Sequence, residues 1–251
     1  MTTVTSARNP LLKEVRKAVQ RGSLTEDGLC VAEGFHLLEE ALRSRCEIEC
    51  VLVSEAARGV VPDGVRVVPL DEKLFATVSS TEASQGVVTL VRPPAWSLDD
   101  VFGGLALVVN GVQDPGNGGA MVRAAEAFGA TGVVFLKGSV NPYNPKALRA
   151  SAGSVFRVPV VTGLEERQVI ERGVRLYAAM PRGGCTIDET DLAGPCAVVI
   201  GGEGRGVSEA LAGAATPLRI PTSQVESLNA AMAAGIILYE ARRQRRAHES
   251  V

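Results

Sequence analysis

The second half of the chain alternates short, wholly apolar segments with segments of helical pattern. From residue 100 onward the apolar segments read LALVVN, GVVFL, FRVPVV, RLYAAM, AVVIGG and LRIP. Strands that are apolar throughout are buried on both faces, which is typical of a parallel sheet covered by helices. The alternation therefore predicts an α/β domain over residues 96–251, with ligands bound beyond the carboxyl ends of its strands.

Helices are expected between these strands at 120–128, around 146–152, before RLYAAM and, as a helical turn, from Ser208. A final helix is expected over 228–246. The segment DPGN, which precedes the first of these helices, is expected to be a turn, because proline and glycine favour turn geometry.

Residues 1–95 predict a smaller α/β domain. An amphipathic helix is expected after Asn9-Pro10, and a second helix over 35–44. IECVLVS, VRVVPL and GVVTLV have the composition of β-strands. RPPAWSLDD combines two prolines with polar residues, so it marks the linker between the two domains.

Composition excludes several classes of protein. The 251 residues are 46% hydrophobic. The formal net charge of −2 argues against a protein that coats nucleic acid through a wide positive field. Two histidines and five scattered cysteines support neither a metal site nor a histidine acid–base mechanism. No apolar run is long enough to cross a bilayer, and no signal peptide is present, so a cytoplasmic protein is expected.

Three loops at predicted strand ends concentrate the polar and glycine residues. In the first, NGVQDPGNGGAMVRAAEAFGA, Arg123 lies on a different helix face from Met121, Ala125 and Phe128. By spacing alone, a surface arginine on an ordinary helix is the favoured interpretation.

The second loop, VVIGGEGRGVSE, lets a ligand approach the backbone closely because of its glycines. No Lys-Ser/Thr follows these glycines, so it is not a P-loop. The third glycine of a dinucleotide fingerprint would fall on Val207, so it is not that motif either. In the third loop, IPTSQVESLN, Ser227 or the residues just before it are expected to cap the last helix.

Taken together, the three loops resemble the SpoU/TrmH family of RNA ribose 2′-O-methyltransferases, within the SPOUT superfamily. The matching residues follow the order of the family's three motifs. They are Asn117, Gly119, Arg123, Ala125, Phe128 and Gly129; then Gly201, Glu203 and Gly206; then Ile220, Pro221, Ser227, Leu228, Asn229, Tyr239 and Glu240.

The resemblance implies a C-terminal parallel-sheet SPOUT domain with a deep trefoil knot, S-adenosylmethionine as cofactor, and a homodimer formed through this domain. It implies that Arg123 handles the ribose hydroxyl and that four further residues act in catalysis with it. Those four are Asn117, Glu203, Ser227 and Asn229. It also implies a cofactor site, whose expected residues are Gly201, Gly202, Ile220, Pro221 and Leu228.

The N-terminal domain resembles the ribosomal-protein-like α/β domain that grips RNA in such enzymes, through SARNPLLKEVRK, VAEGFHLLEEAL and STEASQGVV. Its basic patch is therefore the expected RNA-binding surface, and ribosomal RNA is the expected substrate. The patch consists of Lys13, Arg16, Lys17 and Arg21. Neither a membrane nor a metal is an expected partner.

The third motif departs from the family pattern, because IPTSQVESLN lacks the usual methionine and glycine and is one residue shorter. This leaves the shape of the cofactor loop open. Two alternatives also stay open: a tRNA ribose 2′-O-methyltransferase, and a non-catalytic RNA-binding member of the fold.

Overall fold

The computed structural model describes residues 4, 6–59, 61–81 and 83–249. The chain forms two compact units. One contains the residues up to Ala95 together with Tyr143–Arg157, and the other contains Trp96–Pro142 and Val158 onward. The segment 143–157 therefore packs with the N-terminal unit, although it lies inside the range predicted for the second domain.

Helices and strands are numbered in chain order. The helices are α1 Pro10–Arg21, α2 Phe35–Arg43, α3 Glu72–Ala76, α4 Leu98–Phe102, α5 Pro115–Ala127, α6 Pro145–Ser151, α7 Glu166–Ile170, α8 Glu209–Ala214 and α9 Ala230–Glu249. The strands are β1 Cys30–Glu33, β2 Glu47–Ser54, β3 Val67–Leu70, β4 Val87–Arg92, β5 Leu105–Asn110, β6 Gly132–Leu136, β7 Val160–Leu164, β8 Arg175–Ala179, β9 Cys185–Thr186, β10 Cys196–Gly201 and β11 Thr216–Arg219.

The N-terminal unit is built on a four-stranded sheet of order β1-β4-β2-β3. Strand β4 pairs antiparallel with β1 and β2, whereas β3 pairs parallel with β2. Helix α1 buries Leu12, Val15 and Ala18 against this sheet. The Asn9 side chain accepts a hydrogen bond from the Leu11 amide, so the helix begins where the sequence predicts.

A buried carboxylate fixes the loop between α3 and β4. Glu33, at the end of β1, is 5% exposed and accepts hydrogen bonds from the hydroxyls of Ser79, Ser80, Thr81 and Ser84. The Ser80 amide donates a further bond at 2.7 Å. Burial alone would raise the pKa of Glu33, but these donors outweigh it and lower the pKa below its usual value.

Two ion pairs attach residues 143–157 to the same unit. The Arg149 guanidinium donates to Ser80 Oγ at 2.7 Å and lies 3.8 Å from the Glu33 carboxylate. Arg157 pairs with Glu40, a mostly buried residue of α2. These contacts explain why a segment that the sequence assigns to the second domain packs with the first.

The second unit contains a seven-stranded sheet of order β7-β6-β5-β10-β8-β11-β9. All its pairings are parallel, as the apolar strands predict. Strands β5 and β6 are buried along their full length, and β10 is buried up to its last residue. Helices α5 and α9 pack against each other, with the rings of Phe128 and Tyr239 edge to face at 5.7 Å. In the described part of the chain, no helix combines the length and the hydropathy that a bilayer crossing requires.

Helix α5 differs from its predicted bounds. It begins at Pro115 rather than Ala120, so DPGN starts the helix and is not a turn before it. Asp114 accepts a hydrogen bond from the Asn117 amide, and proline suits the first helical position. These two signals outweigh the low helix propensity of the glycines that follow.

We expect Glu33→Gln to lower the free energy of unfolding by about 2 kcal/mol at neutral pH, because the buried carboxylate loses charge-assisted hydrogen bonds. A carboxylate whose pKa is lowered in the folded state stabilises the protein above its unfolded pKa of about 4.3. That contribution is lost as the pH falls through the folded pKa. The difference in free energy of unfolding between wild type and variant should therefore become smaller below about pH 4.3. Urea titrations at several pH values measure it.

Glu39→Gln, at an exposed position of the neighbouring helix, is the matched control and should change little. The role assigned to Glu33 is wrong if wild type and Glu33→Gln lose stability in parallel as the pH falls.

Candidate functional site

The three polar loops of the sequence lie beyond the carboxyl ends of β5, β10 and β11. Strands β5 and β10 are neighbours in the sheet, and Asn110 at the end of one is paired with Gly201 at the end of the other. The carboxyl ends of parallel strands lie at one edge of a sheet, so loops from distant parts of the chain meet there.

Three side chains, one from each loop, form a closed set of hydrogen bonds, here called the amide–carboxylate triad. Asn117 Nδ2 donates to Glu203 Oε1 at 2.7 Å. Asn229 Nδ2 donates to the same oxygen at 3.1 Å and to Asn117 Oδ1 at 3.1 Å. The triad ties the start of α5, the glycine loop after β10 and the start of α9 to one another.

Asn229 has a second role as the N-terminal cap of α9. Its Oδ1 accepts hydrogen bonds from the amides of Ala231 at 3.0 Å and Met232 at 3.2 Å. The prediction that Ser227 or the residues before it cap this helix is wrong, because Asn229 supplies these bonds and α9 begins at Ala230. Capping orients the Asn229 amide nitrogen toward the other two members of the triad.

The glycine loop after β10 is tightly folded. A Cβ on Gly201 would lie 2.1 Å from the Gly206 carbonyl carbon, and one on Gly202 would lie 2.4 Å from the Gly111 carbonyl oxygen. The Gly206 amide donates to the Gly202 carbonyl at 2.8 Å, which closes the loop. A side chain at Gly201 would force the loop open, and one at Gly202 would hold the loop away from the segment that follows β5.

A first cavity of about 410 Å³ lies between the ends of β8, β10 and β11. Apolar side chains of Ile200, Leu218, Ile220 and Leu228 line it, and Gly201 and Gly202 leave backbone accessible. Its polar lining includes Glu203, Thr222 and Ser227. A mostly apolar pocket with a few polar groups is typical of a small-molecule site.

The shortened third motif still forms part of this cavity. Thr222 Oγ1 donates to the Val225 carbonyl at 2.9 Å, which closes the loop between β11 and α9. Glu226 in the same loop pairs with Arg182 at 2.9 Å, and both side chains are exposed.

A second cavity of about 640 Å³ lies beyond the ends of β5, β6 and β7. Most of its lining residues have polar side chains, among them Asn110, Gln113, Asn117, Lys137 and Glu166. The loop from Gly202 to Gly206 contributes to both cavities.

Three of the residues expected in the site lie outside both cavity linings: Arg123, Pro221 and Asn229, which belongs to the triad. Arg123 is exposed on α5, and its side chain makes no hydrogen bond or ion pair with any residue that the structure describes. Pro221 is exposed between two lining residues, Ile220 and Thr222.

The basic patch on α1 is partly paired within the protein. Lys17 lies 2.8 Å from Glu14 and 3.2 Å from Glu26, and Arg16 donates to Thr77 Oγ1 at 3.1 Å. Lys13 and Arg21 are exposed.

Sequence reasoning missed two parts of the site. Asn110 is buried, accepts from the Ser208 amide at 2.8 Å and donates to Glu166 at 3.2 Å. Its signal was a polar residue at the end of an apolar strand. The residues after β8, including Met180, line the first cavity, and only the strand order places them there.

Two protein-family profiles match the chain. The profile of the SpoU rRNA Methylase family matches residues 104–239, and that of the MRM3-like substrate binding domain matches residues 9–89. The chain belongs to the SpoU methylase family. The resemblance drawn from the three motifs is confirmed.

Relatives of this family align over almost the whole chain. The 23S rRNA (guanosine(2553)-2′-O)-methyltransferase RlmP of Bacillus subtilis is 33% identical over 96% of this chain and 100% of its own length. The AdoMet-bound rRNA methyltransferase from Sinorhizobium meliloti is 30% identical, with a TM-score of 0.82, over 96% of this chain and 97% of that one. The SpoU methyltransferase AviRb from Streptomyces viridochromogenes, solved with AdoMet, is 26% identical, with a TM-score of 0.82, over 95% of this chain and 99% of that one.

The glycine loop gives a direct test of its packing. We expect Gly202→Ala to lower the free energy of unfolding by about 1–3 kcal/mol, because the added methyl group meets the Gly111 carbonyl. Gly204→Ala is the matched control, since nothing lies within 4 Å of a Cβ there. Denaturant titrations compare the two, and equal losses would show that the close approach at Gly202 does not limit the loop.

Proposed function

We propose that this SpoU family methylase transfers a methyl group from S-adenosylmethionine to a ribose 2′-hydroxyl of ribosomal RNA. The observation that carries the proposal is the amide–carboxylate triad, which lies at the loop shared by two cavities. Apolar side chains predominate among the lining residues of the first cavity, and polar side chains among those of the second. In a methyl transfer the methyl donor and the RNA acceptor must bind next to each other. Two adjacent cavities that share one loop suit such a pair of ligands. The relatives support the substrate, since RlmP is named for 2′-O-methylation of 23S rRNA and two solved relatives contain AdoMet.

The first cavity fits the cofactor. Its apolar side chains suit an adenine ring, and the glycine backbone at Gly201 and Gly202 suits close contact with a ribose or an amino-acid moiety. Ile220 and Leu228, both expected as cofactor residues, line it. S-adenosylmethionine, when bound, supplies a methyl group already activated by a sulfonium, so positioning of the acceptor contributes much of the rate.

The triad and Ser227 position the acceptor. Glu203 accepts from both asparagines, which fixes the orientation of each amide beside the shared loop. Ser227, in the lining of the first cavity, offers a hydroxyl to the incoming ribose. Arg123 binds the phosphate and hydroxyl of the target nucleotide. A phosphate or a water takes the hydroxyl proton, because an arginine with a pKa above about 12 is a poor base.

In this proposal Arg123 acts at the site of a second copy of the chain and not at the site of its own. It lies outside both cavities of its own chain, so an intramolecular role would require another conformation. An apolar stripe runs along one face of α9, the helix that packs against α5. Met232 and Tyr239 are more than half exposed, and Gly235 and Ile236 lie between them at helical spacing. A homodimer that covers this stripe would place Arg123 of one subunit at the site of the other.

Residues 1–95 form the RNA-binding domain in this proposal, and residues 96–251 form the methyltransferase domain. The exposed cations Lys13 and Arg21 of α1 are the best placed of the basic patch to contact phosphate, since Lys17 is already paired. The family profile of a substrate binding domain over residues 9–89 supports this division.

We keep the trefoil knot as a prediction. Strand β11 lies between β8 and β9 in the sheet, so the chain returns after β10 to a position between two earlier strands. This return of the chain supports the prediction, although knots are rare in proteins.

The first test is Arg123→Ala. We expect this variant to lose methyl transfer to ribosomal RNA by at least about a hundredfold while binding S-adenosylmethionine with unchanged affinity, because Arg123 acts on the acceptor alone. Transfer of label from methyl-labelled cofactor measures the first quantity, and calorimetry measures the second.

Arg167→Ala is the matched control, since Arg167 is exposed on α7 of the same unit and lines neither cavity. Full activity in Arg123→Ala would exclude Arg123 from the reaction.

The second test is the subunit interface. We expect Met232→Glu to convert a dimer into a monomer and to abolish methyl transfer, because a charge would be buried in the apolar stripe. Gly213→Glu adds the same charge at an exposed, open position of α8 and should leave the dimer intact. Sedimentation velocity measures the state of both, and a monomeric wild type with full activity would contradict the shared site.

A further inference from the structure

The second cavity has no occupant if the cofactor fills the first. The Gly202–Gly206 loop borders both, so a ligand in the second cavity lies next to the same Glu203 that anchors the triad. At about 640 Å³ the second cavity is the larger of the two and is within the range of small-molecule sites.

Most neutral and acidic side chains of this cavity already have partners in the protein. Asn110 bonds to Glu166 and to the Ser208 amide, and Gln113 donates to the Gly138 carbonyl. Glu203 accepts from the two asparagines of the triad. These groups shape the cavity and leave few of their own donors for a ligand.

Two cations remain in the lining, Lys137 and Arg205. Lys137 pairs with Glu165, but both side chains are more than half exposed, and such surface pairs stabilise little. Arg205 is exposed and makes no hydrogen bond or ion pair with the residues that the structure describes. Its guanidinium, with five donors, is therefore open to an anionic ligand.

We propose that the second cavity receives the acceptor nucleotide of the RNA and that Arg205 is a positioning residue which binds a phosphate of that nucleotide. This inference rests on the proposed function, because it assigns the first cavity to the methyl donor. Bidentate binding of phosphate by a guanidinium fixes orientation as well as position.

The alternative anion is the carboxylate of S-adenosylmethionine, since Arg205 also borders the first cavity. The strand order favours RNA. Lys137 follows β6 and Arg205 follows β10, and these two strands flank β5 on opposite sides. Two cations separated in this way suit a polymer with a phosphate at every nucleotide, whereas the cofactor has a single carboxylate.

The test compares Arg205→Ala, Arg205→Lys and the control Arg167→Ala with wild type. RNA affinity is measured by filter binding with ribosomal RNA at several salt concentrations, without cofactor, so that it tests Arg205 even if the wild type transfers no methyl group. Cofactor affinity is measured by calorimetry with S-adenosylmethionine alone. Thermal unfolding checks that each variant is folded.

We expect Arg205→Ala to weaken RNA binding about tenfold and to reduce the slope of log affinity against log salt by about 0.7–1. Arg205→Lys should recover part of the RNA affinity, because lysine keeps the positive charge but lacks the planar guanidinium that binds phosphate through two hydrogen bonds. The KM for RNA should rise more than kcat falls, and cofactor affinity should stay unchanged. Arg167→Ala should match wild type in all of these.

Unchanged RNA affinity and salt slope in Arg205→Ala would overturn the proposal. So would a variant that loses cofactor affinity and keeps RNA affinity, because Arg205 would then bind the cofactor carboxylate. A wild type that binds RNA through Arg205 but no S-adenosylmethionine would support this site and contradict the proposed function.

Discussion

One carboxylate oxygen, Oε1 of Glu203, joins three parts of the chain that lie far apart in sequence. It accepts hydrogen bonds from Asn117 and Asn229, which are 86 and 26 residues away. A hydrogen bond to a charged group stabilises a folded protein by about 1.5–3 kcal/mol, and the contribution is smaller at an exposed position such as this one. These hydrogen bonds matter mainly for geometry, because they hold the start of α5, the glycine loop and the start of α9 in fixed positions relative to one another. The shape of both cavities depends on those positions.

The triad depends in turn on the sheet beneath it. Because all pairings in the seven-stranded sheet are parallel, every strand delivers its following loop to the same edge. The absence of a Cβ at Gly202 lets the loop after β10 lie against Gly111, directly after β5, and its absence at Gly201 lets the same loop fold back on Gly206. Backbone packing therefore places Glu203, and Glu203 then orients the amides.

Sequence patterns predicted the strands better than their arrangement. LALVVN and GVVFL coincide with β5 and β6, because an unbroken apolar run between turn residues leaves little ambiguity. The start of α5 was missed since Asp114 and Pro115 act as a cap rather than a turn.

The attachment of residues 143–157 to the N-terminal unit depends on Glu33 and Glu40, and such long-range ion pairs leave no periodic signal. The strand order, which creates the two cavities, is likewise absent from local pattern. Family resemblance, rather than spacing, pointed to Arg123.

A ribose hydroxyl is the proposed acceptor of the methyl group at this site. The most direct measurement is alkaline hydrolysis of ribosomal RNA after incubation with the protein and methyl-labelled S-adenosylmethionine. A methylated 2′-oxygen cannot attack the adjacent phosphodiester, so we expect the label in alkali-resistant dinucleotides. Label recovered in mononucleotides would show methylation of a base and would contradict it.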